Sequence, residues 1–446
     1  MIRASIRSLR QASLGEVVRS DTGRAAGMAG AVMVGNVLAL GFTVVFARKL
    51  GQEGYGSLSA LISTYIILMV PGAALQTTVA REVSAQFAAG DPHAGAGVRR
   101  WLGWLALVTV VLTLVSVLAR DGLATAIGVE DLPWAAAATV PSGCLWLIVA
   151  VQRGALQGFQ RYRAVSASWI GEQVARFAFA IVLVGPADVT GAFLGTALSL
   201  AAVAVALLVP LGRVLPRLEP RREHTLGALF VRAGVPVAAL ALVAWMQDGN
   251  VILVKHVASD RQAGSYAAAA VAAKAIMWIA VGLGLFLVPE AARRARLRQR
   301  ADGVLASTLG LIALVGVPMV LVYAVAGEKL IELAFGSKFA GGADPLPWLG
   351  VAFTLLACTY LAVQYHLALH RWRFIGLLVV AAVVQPIAVV AVGPDLVAIA
   401  VALMAVNGGL ALAMVILAFR VATHPETVVP DPESAGDPLG TPETLV

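Results

Sequence analysis

Five ionisable residues stand inside long apolar runs, where a charge costs roughly 2.5–3.5 kcal/mol on insertion scales and therefore marks a candidate for chemistry. They are Glu172, Arg176, Arg232, Asp248 and Lys274. Glu172 and Arg176 are spaced i, i+4, so a helix puts them on one face, where an ion pair partly offsets burial. A structural pair and a ligand contact fit that spacing equally well. Arg232 is about two turns from a polar break, close enough to snorkel to an interface. Lys274 sits among Ala273, Ala275 and Ile276 with no carboxylate within a turn. Arg176, Arg232 and Lys274 together make a cationic excess, the complement of an anionic head group such as a pyrophosphate-linked sugar. In a narrow, dry interior the same residues become interhelical pairs.

The elements that must position these residues are membrane helices. The chain has 446 residues, 59% hydrophobic and 13% charged, with a mean hydropathy of +0.85, outside the usual soluble range. Apolar runs near 20 residues predict spans at 25–48, 56–82, 101–119, 134–158, 162–185, 189–212, 226–257, 262–289, 303–325, 344–369, 373–393 and 396–421. The seventh is long enough to project beyond a bilayer, and the eleventh is short and broken by Pro386. The first run ends in Phe46-Ala-Arg-Lys49 rather than a small-residue cleavage site, and is expected to stay as a helix.

With the N-terminus inside, roughly 23 Lys and Arg fall on cytoplasmic segments and roughly 7 on external ones, which predicts both termini in the cytoplasm and a multi-pass protein of a bacterial inner membrane. The net charge of +8 is spread over short loops rather than one face, so no nucleic-acid partner is expected. Residues 1–24 form a basic leader. Ile2, Ile6 and Leu9 make one stripe and Arg3, Arg7 and Arg10 another, the pattern of a helix lying on anionic lipid, although a solvated tail fits as well. Residues 25–212 are expected as an N-terminal lobe of six spans, 213–225 as a cytoplasmic linker, 226–421 as a second lobe of six, and 422–446 as an acidic, proline-rich disordered tail.

A faint repeat at about 210 residues supports two parallel halves. Glu53-Gly-Tyr-Gly56 aligns with Ala263-Gly-Ser-Tyr266, and Gln160-Arg-Tyr-Arg163 aligns with His370-Arg-Trp-Arg373. Cys144 and Cys358 lie in apolar runs without metal or disulfide spacing and are expected to be packing residues. His366 and His370 have no third ligand and are expected at an interface, with no metal and no cofactor. Gln76, Asn36, Gln152, Gln157 and Asn407 line a polar cavity or hydrogen-bond between helices. No phosphate loop, Ser/His/Asp grouping or long external loop is present, which argues against an enzyme.

The stretch Phe46-Ala-Arg-Lys-Leu-Gly-Gln-Glu-Gly-Tyr-Gly56 resembles the end of the first helix in the polysaccharide transporter family, of O-antigen flippase type. The stretches Ala155-Leu-Gln-Gly-Phe-Gln-Arg-Tyr-Arg163 and Asp248-Gly-Asn-Val-Ile-Leu-Val-Lys-His256, with Ala263-Gly-Ser-Tyr266, resemble later signatures of that family. The resemblance implies an all-α exporter fold of two six-helix lobes in a V, within the multidrug/oligosaccharidyl-lipid/polysaccharide exporter superfamily. It implies an undecaprenyl-diphosphate-linked oligosaccharide as substrate, flipped across the inner membrane for cell-surface polysaccharide synthesis, with membrane lipids, a polymerase and glycosyltransferases as partners. By motif position it singles out Arg48, Asp248 and Lys255. The expected substrate-binding set is then Arg176, Lys274, Arg232, Arg48 and Lys255, with Glu172 and Asp248 as ion-pair or coupling groups. Two C-terminal helices of the related lipid II flippases are missing, which argues against a peptidoglycan precursor. The rivals are an ion-coupled multidrug antiporter, which needs acidic cavity residues, and a membrane glycan polymerase, which needs a large catalytic external loop.

Overall fold

The computed structural model describes residues 21–216, 226–297 and 299–422. The leader stripe at Ile2 to Arg10, most of the 213–225 linker and the tail beyond Ala422 lie outside the described residues.

The described residues are helical almost throughout. The helices are α1 (Asp21–Ala88), α2 (Ala96–Leu118), α3 (Arg120–Ile127), α4 (Pro133–Gly158), α5 (Tyr162–Gly212), α6 (Leu226–Val257), α7 (Asp260–Ala273), α8 (Ala275–Arg296), α9 (Asp302–Phe335), α10 (Leu346–Ala368), α11 (Ile375–Val392) and α12 (Leu396–Ala422), with a 3₁₀ turn at Ser337–Gly342. At 1.5 Å per residue, α1 and α5 are each more than twice the roughly 30 Å of a bilayer core. Each must carry two passes, and each is bent by non-helical backbone, at Gly51 (φ 69°, ψ −173°) and Asp188 (φ 47°, ψ −127°). Ten helical segments are long and apolar enough to cross a membrane, and the two bent ones bring the passes to twelve.

The structure adds detail at three places. The eighth span is a single pass over Asp260–Ala295, with a one-residue interruption at Lys274 between α7, which ends at Ala273, and α8, which starts at Ala275. The eleventh is not broken, because α11 runs through Pro386. A proline lacks the N–H that bonds the carbonyl four residues back, and the freed Ala382 carbonyl instead accepts the Trp245 indole N–H at 3.1 Å. The loop after the third span also folds part of its length into the short helix α3.

Two cores underlie two lobes. One is built from α1 to α5 around Phe42, Phe46, Trp101, Trp146 and Phe193. The other is built from α6 to α12 around Tyr266, Phe353, Leu356 and Tyr365, and takes in Ala47 and Tyr55 of α1. The lobes repeat each other: α4 and α10 are mostly buried, whereas α2 and α9 present apolar residues such as Leu114, Leu118, Leu321 and Val325 outward, as lipid-facing helices do. The repeat reaches the backbone. Gln160 and His370, equivalent in the sequence alignment, both adopt positive φ (58° and 52°) just past α4 and α10. In each case the following N–H closes the helix end, Arg161 on the Leu156 carbonyl at 2.7 Å and Arg371 on the His366 carbonyl at 3.0 Å.

Close helix contact inside the N-lobe depends on Gly154 and Gly158 of α4. A Cβ at Gly154 would stand 2.5 Å from the Gln76 carbonyl oxygen and one at Gly158 would stand 2.6 Å from Val83 Cβ, the small-xxx-small contact of membrane helices.

The lobes meet at the end that carries the Gly51 bend, α3 and the turn between α6 and α7. Gly56 packs on the Gly264 backbone, where an added Cβ would lie 3.0 Å from nitrogen. Around it, Gln52 Nε2 donates to Ser265 Oγ at 2.7 Å, Arg261 Nε donates to Glu53 Oε1 at 2.9 Å, and Tyr55 packs tilted against Phe335 and edge-to-face with Phe339. These hydrogen bonds and contacts hold the two lobes together at this end.

Candidate functional site

In the N-lobe the charged centre is a residue that sequence reasoning missed. Arg153 lies one position before Gly154, about 100° round the helix from the face that grips α1, and so addresses α5. Its guanidinium is fully buried and forms an ion pair with Glu172 at 2.7 Å. It also donates to Ser168 Oγ at 2.9 Å and the Ser168 carbonyl at 3.1 Å. Trp169 covers it at 4.2 Å and Trp146 at 5.5 Å. Two hydrogen-bonded partners and two ring faces replace part of the hydration such a cation loses on burial, while Nη1 stays buried without a partner.

The expected Glu172–Arg176 pair is therefore corrected. Glu172 binds Arg153 across the helix interface, where the planar fork meets carboxylate and backbone oxygen together. Arg176 turns to α1 and rests over the Phe42 ring at 4.1 Å. Its Nε is buried without a hydrogen-bond partner. Tyr65 of α1 is within electrostatic reach of Glu172, Arg176 and Arg153. With two guanidinium groups against one carboxylate, this centre has a surplus of one positive charge.

The C-lobe centre is balanced. Lys274 has no carboxylate within a turn, as its sequence neighbours showed, but it forms an interhelical pair: Asp248 on α6 reaches it, and Nζ donates to Oδ1 at 2.7 Å. Gln247 Nε2 donates to the other oxygen at 3.1 Å. Asp248 retains 1% side-chain exposure and Lys274 13%. Lys274 stands at the α7–α8 junction, where the backbone stays right-handed (φ −67°, ψ −11°) and its N–H still bonds the Ala270 carbonyl at 2.9 Å. The Ala272 carbonyl beside the junction accepts the Tyr323 hydroxyl at 2.8 Å, and the Phe353 ring lies 5.8 Å from Lys274 Nζ.

The remaining expected site residues lie elsewhere. Arg48 donates from Nε to the Ala334 carbonyl at 3.0 Å and from Nη2 to the Leu333 carbonyl, so it caps the end of α9 across the lobe junction. Lys255 pairs with Asp260 at the same end. Neither stands with the interior charges. Arg232 is on α6, but its side chain lies outside the described residues. Of the polar candidates, Gln152 donates to the Ala204 carbonyl at 2.9 Å and Asn407 to the Ala352 carbonyl at 3.1 Å, both between helices. His366 is buried and stacks on Phe374 at 5.3 Å rather than facing an interface. Among the described residues no group of three His, Cys, Asp or Glu is placed to hold a metal. A depression of about 460 Å³ lies at the lobe junction beside Gln52, Ser265, Asp344 and Asp395, away from both charged centres.

Residues 26–289, well over half of the 446, match the family described as polysaccharide biosynthesis protein. The chain belongs to this family. The matched region contains Arg153, Glu172, Arg176, Asp248 and Lys274, so both charged centres lie on family-matched sequence. No curated protein matches the sequence. Among solved structures, an inward-facing multidrug resistance MATE transporter of the MOP superfamily superposes with a TM-score of 0.75 at 12% identity, covering 90% of this chain and 98% of that one. An outward-facing MATE transporter gives 0.63 at 13% identity, covering 94% and 100%. The lipid II flippase MurJ in an inward closed conformation gives 0.65 at 10% identity, covering 88% and 87%. At these identities the likeness is one of fold: the family member described here is an all-helical, multi-pass membrane protein with the two-lobed exporter architecture.

One signal pointed to Arg153. It is an ionisable residue in Ala150-Val-Gln-Arg-Gly-Ala155, inside the fourth span, and qualifies by the same insertion cost as the others. Its closeness to the polar turn at Gln160 hid it, because an arginine near a helix end ordinarily snorkels outward.

Proposed function

We propose that this polysaccharide biosynthesis family member is a flippase that moves undecaprenyl-diphosphate-linked oligosaccharide units across the bacterial inner membrane by alternating access. The observation that carries the proposal is Arg176, a cation without a carboxylate of its own, held at bilayer depth against α1, the helix whose residues enter both cores. A diphosphate is the complement of such a group, and Arg binds phosphate oxygens through paired N–H donors. The C-lobe pair adds no net charge, so the anion is assigned to the N-lobe. With the basic end in the cytoplasm, as the distribution of Lys and Arg favours, the closed end is external and the conformation faces inward. The better superposition on the inward-facing of the two MATE forms supports the same reading. The product passes to a surface polymerase, glycosyltransferases supply the substrate, and the chain itself performs no covalent chemistry. Both interior carboxylates are engaged by cations, which disfavours a cation antiporter.

The test is reconstitution in proteoliposomes with three probes: a fluorescent undecaprenyl-diphosphate oligosaccharide, the same glycan on an uncharged lipid, and a cationic dye. Movement of the first alone is the expected result. Export of the dye without movement of either glycan would replace the flippase reading with the antiporter.

A further inference from the structure

His256 closes the lobe junction with both ring nitrogens. At the end of α6, its Nδ1 lies 2.9 Å from the Ile252 carbonyl oxygen, and its Nε2 lies 3.0 Å from the Thr125 carbonyl oxygen of α3, in the other lobe. Both neighbours are acceptors only. A neutral imidazole has one N–H, so it can satisfy one carbonyl and must turn a lone pair toward the other, whereas the imidazolium donates to both. The ring is exposed, so protons reach it from solvent. The approach is built in: Gly128, at φ 79°, ends α3 so closely that a Cβ there would lie 3.2 Å from His256 Cε1.

We infer that His256 is a proton-binding site whose occupancy latches the lobes together at this end. A proton bound more tightly in the closed form than in the open one shifts the equilibrium toward closure. If this end is external, a proton taken up outside favours return to the inward-facing form. The charged groups on the elements that meet here include Arg48 at the end of α9, Lys255 with Asp260, Arg261 with Glu53, Arg120 with Asp121, and Glu130 and Asp131 after α3. These are carboxylates, guanidinium groups and an ammonium, which ordinarily keep their charge between pH 5.5 and 8, where imidazole changes its own. Among the described residues the other histidines, His93, His366 and His370, belong to the opposite end of the spans.

The inference rests on the alternating-access reading and is tested separately from it. Spin labels at Asp121→Cys and Lys338→Cys, on exposed positions of opposite lobes, report the separation at this end in the full chain with Cys144 and Cys358 changed to Ala. In wild type the ratio of short to long separations rises about three- to tenfold from pH 8 to pH 5.5. In His256→Gln, whose amide binds no proton between pH 5.5 and 8, the ratio is flat. A flat wild type, or a His256→Gln variant that keeps the slope, overturns the latch. One separation under every condition contradicts alternating access itself, and the latch with it.

Discussion

The two lobes hold their buried charge in opposite ways. In the N-lobe, Arg153 and Glu172 pair across α4 and α5 and leave Arg176 over, desolvated at Nε and resting on an aromatic face. In the C-lobe, Lys274 and Asp248 cancel, paired between α6 and the α7–α8 junction. Duplicated halves thus differ where charge is concerned while keeping the same helix order and even the same positive-φ residue after α4 and α10. The conserved features are those of packing. The divergent ones are those that decide what an interior can bind, because net charge rather than the number of charged residues attracts an anion.

The comparison breaks most severely at Arg153. Arg153→Met leaves Glu172 buried without its cation and is expected to cost about 3–5 kcal/mol, read as a lower unfolding midpoint in detergent. Asp248→Asn should cost less, about 2–3 kcal/mol, because Lys274 keeps some exposure and can relax toward it. Adding Lys274→Gln to Asp248→Asn should recover part of that loss, and the resulting double-mutant cycle should show a coupling of about 1–3 kcal/mol. Independent, additive effects would show that the pair is not energetically coupled. Arg176→Ala sharpens the contrast: it removes one cation–π contact, so stability should change by no more than about 2 kcal/mol, while glycan translocation falls at least tenfold. The smallest effects test the shared backbone. Gln160→Gly and His370→Gly relieve left-handed strain and should each raise stability by about 0.5–1 kcal/mol. A loss at one and a gain at the other would show that the two turns are not equivalent.

Much of this fold was legible from hydropathy, since twelve passes and a two-lobed repeat follow from run lengths and two short aligned motifs. The repeat was legible in Gly54 to Gly56 and Gly264 because backbones touch there, and contact at that spacing tolerates little else. The charged centres were only half legible. Which spans carry charge can be read from insertion cost, but which charge meets which depends on the rotation of one helix against another, set by contacts such as Gly154 on Gln76. The i, i+4 rule favoured Glu172 with Arg176, yet the geometry of a buried fork between α4 and α5 outweighed it. Lys274 looked unpartnered because its carboxylate is 26 residues away in the chain. Pro386 looked like a breaker because the indole of Trp245, which serves the freed carbonyl, is 137 residues from its acceptor.

The central claim is that the anion belongs to the unpaired cation of the N-lobe and not to the balanced pair of the C-lobe. The direct measurement is the initial rate of undecaprenyl-diphosphate oligosaccharide translocation in proteoliposomes, comparing Arg176→Ala with the neutral double variant Asp248→Asn/Lys274→Gln, each confirmed folded. The account predicts a loss of at least tenfold for Arg176→Ala and a rate within about threefold of wild type for the double variant. Full transport by Arg176→Ala together with loss in the double variant would contradict it and move the anion site to the C-lobe.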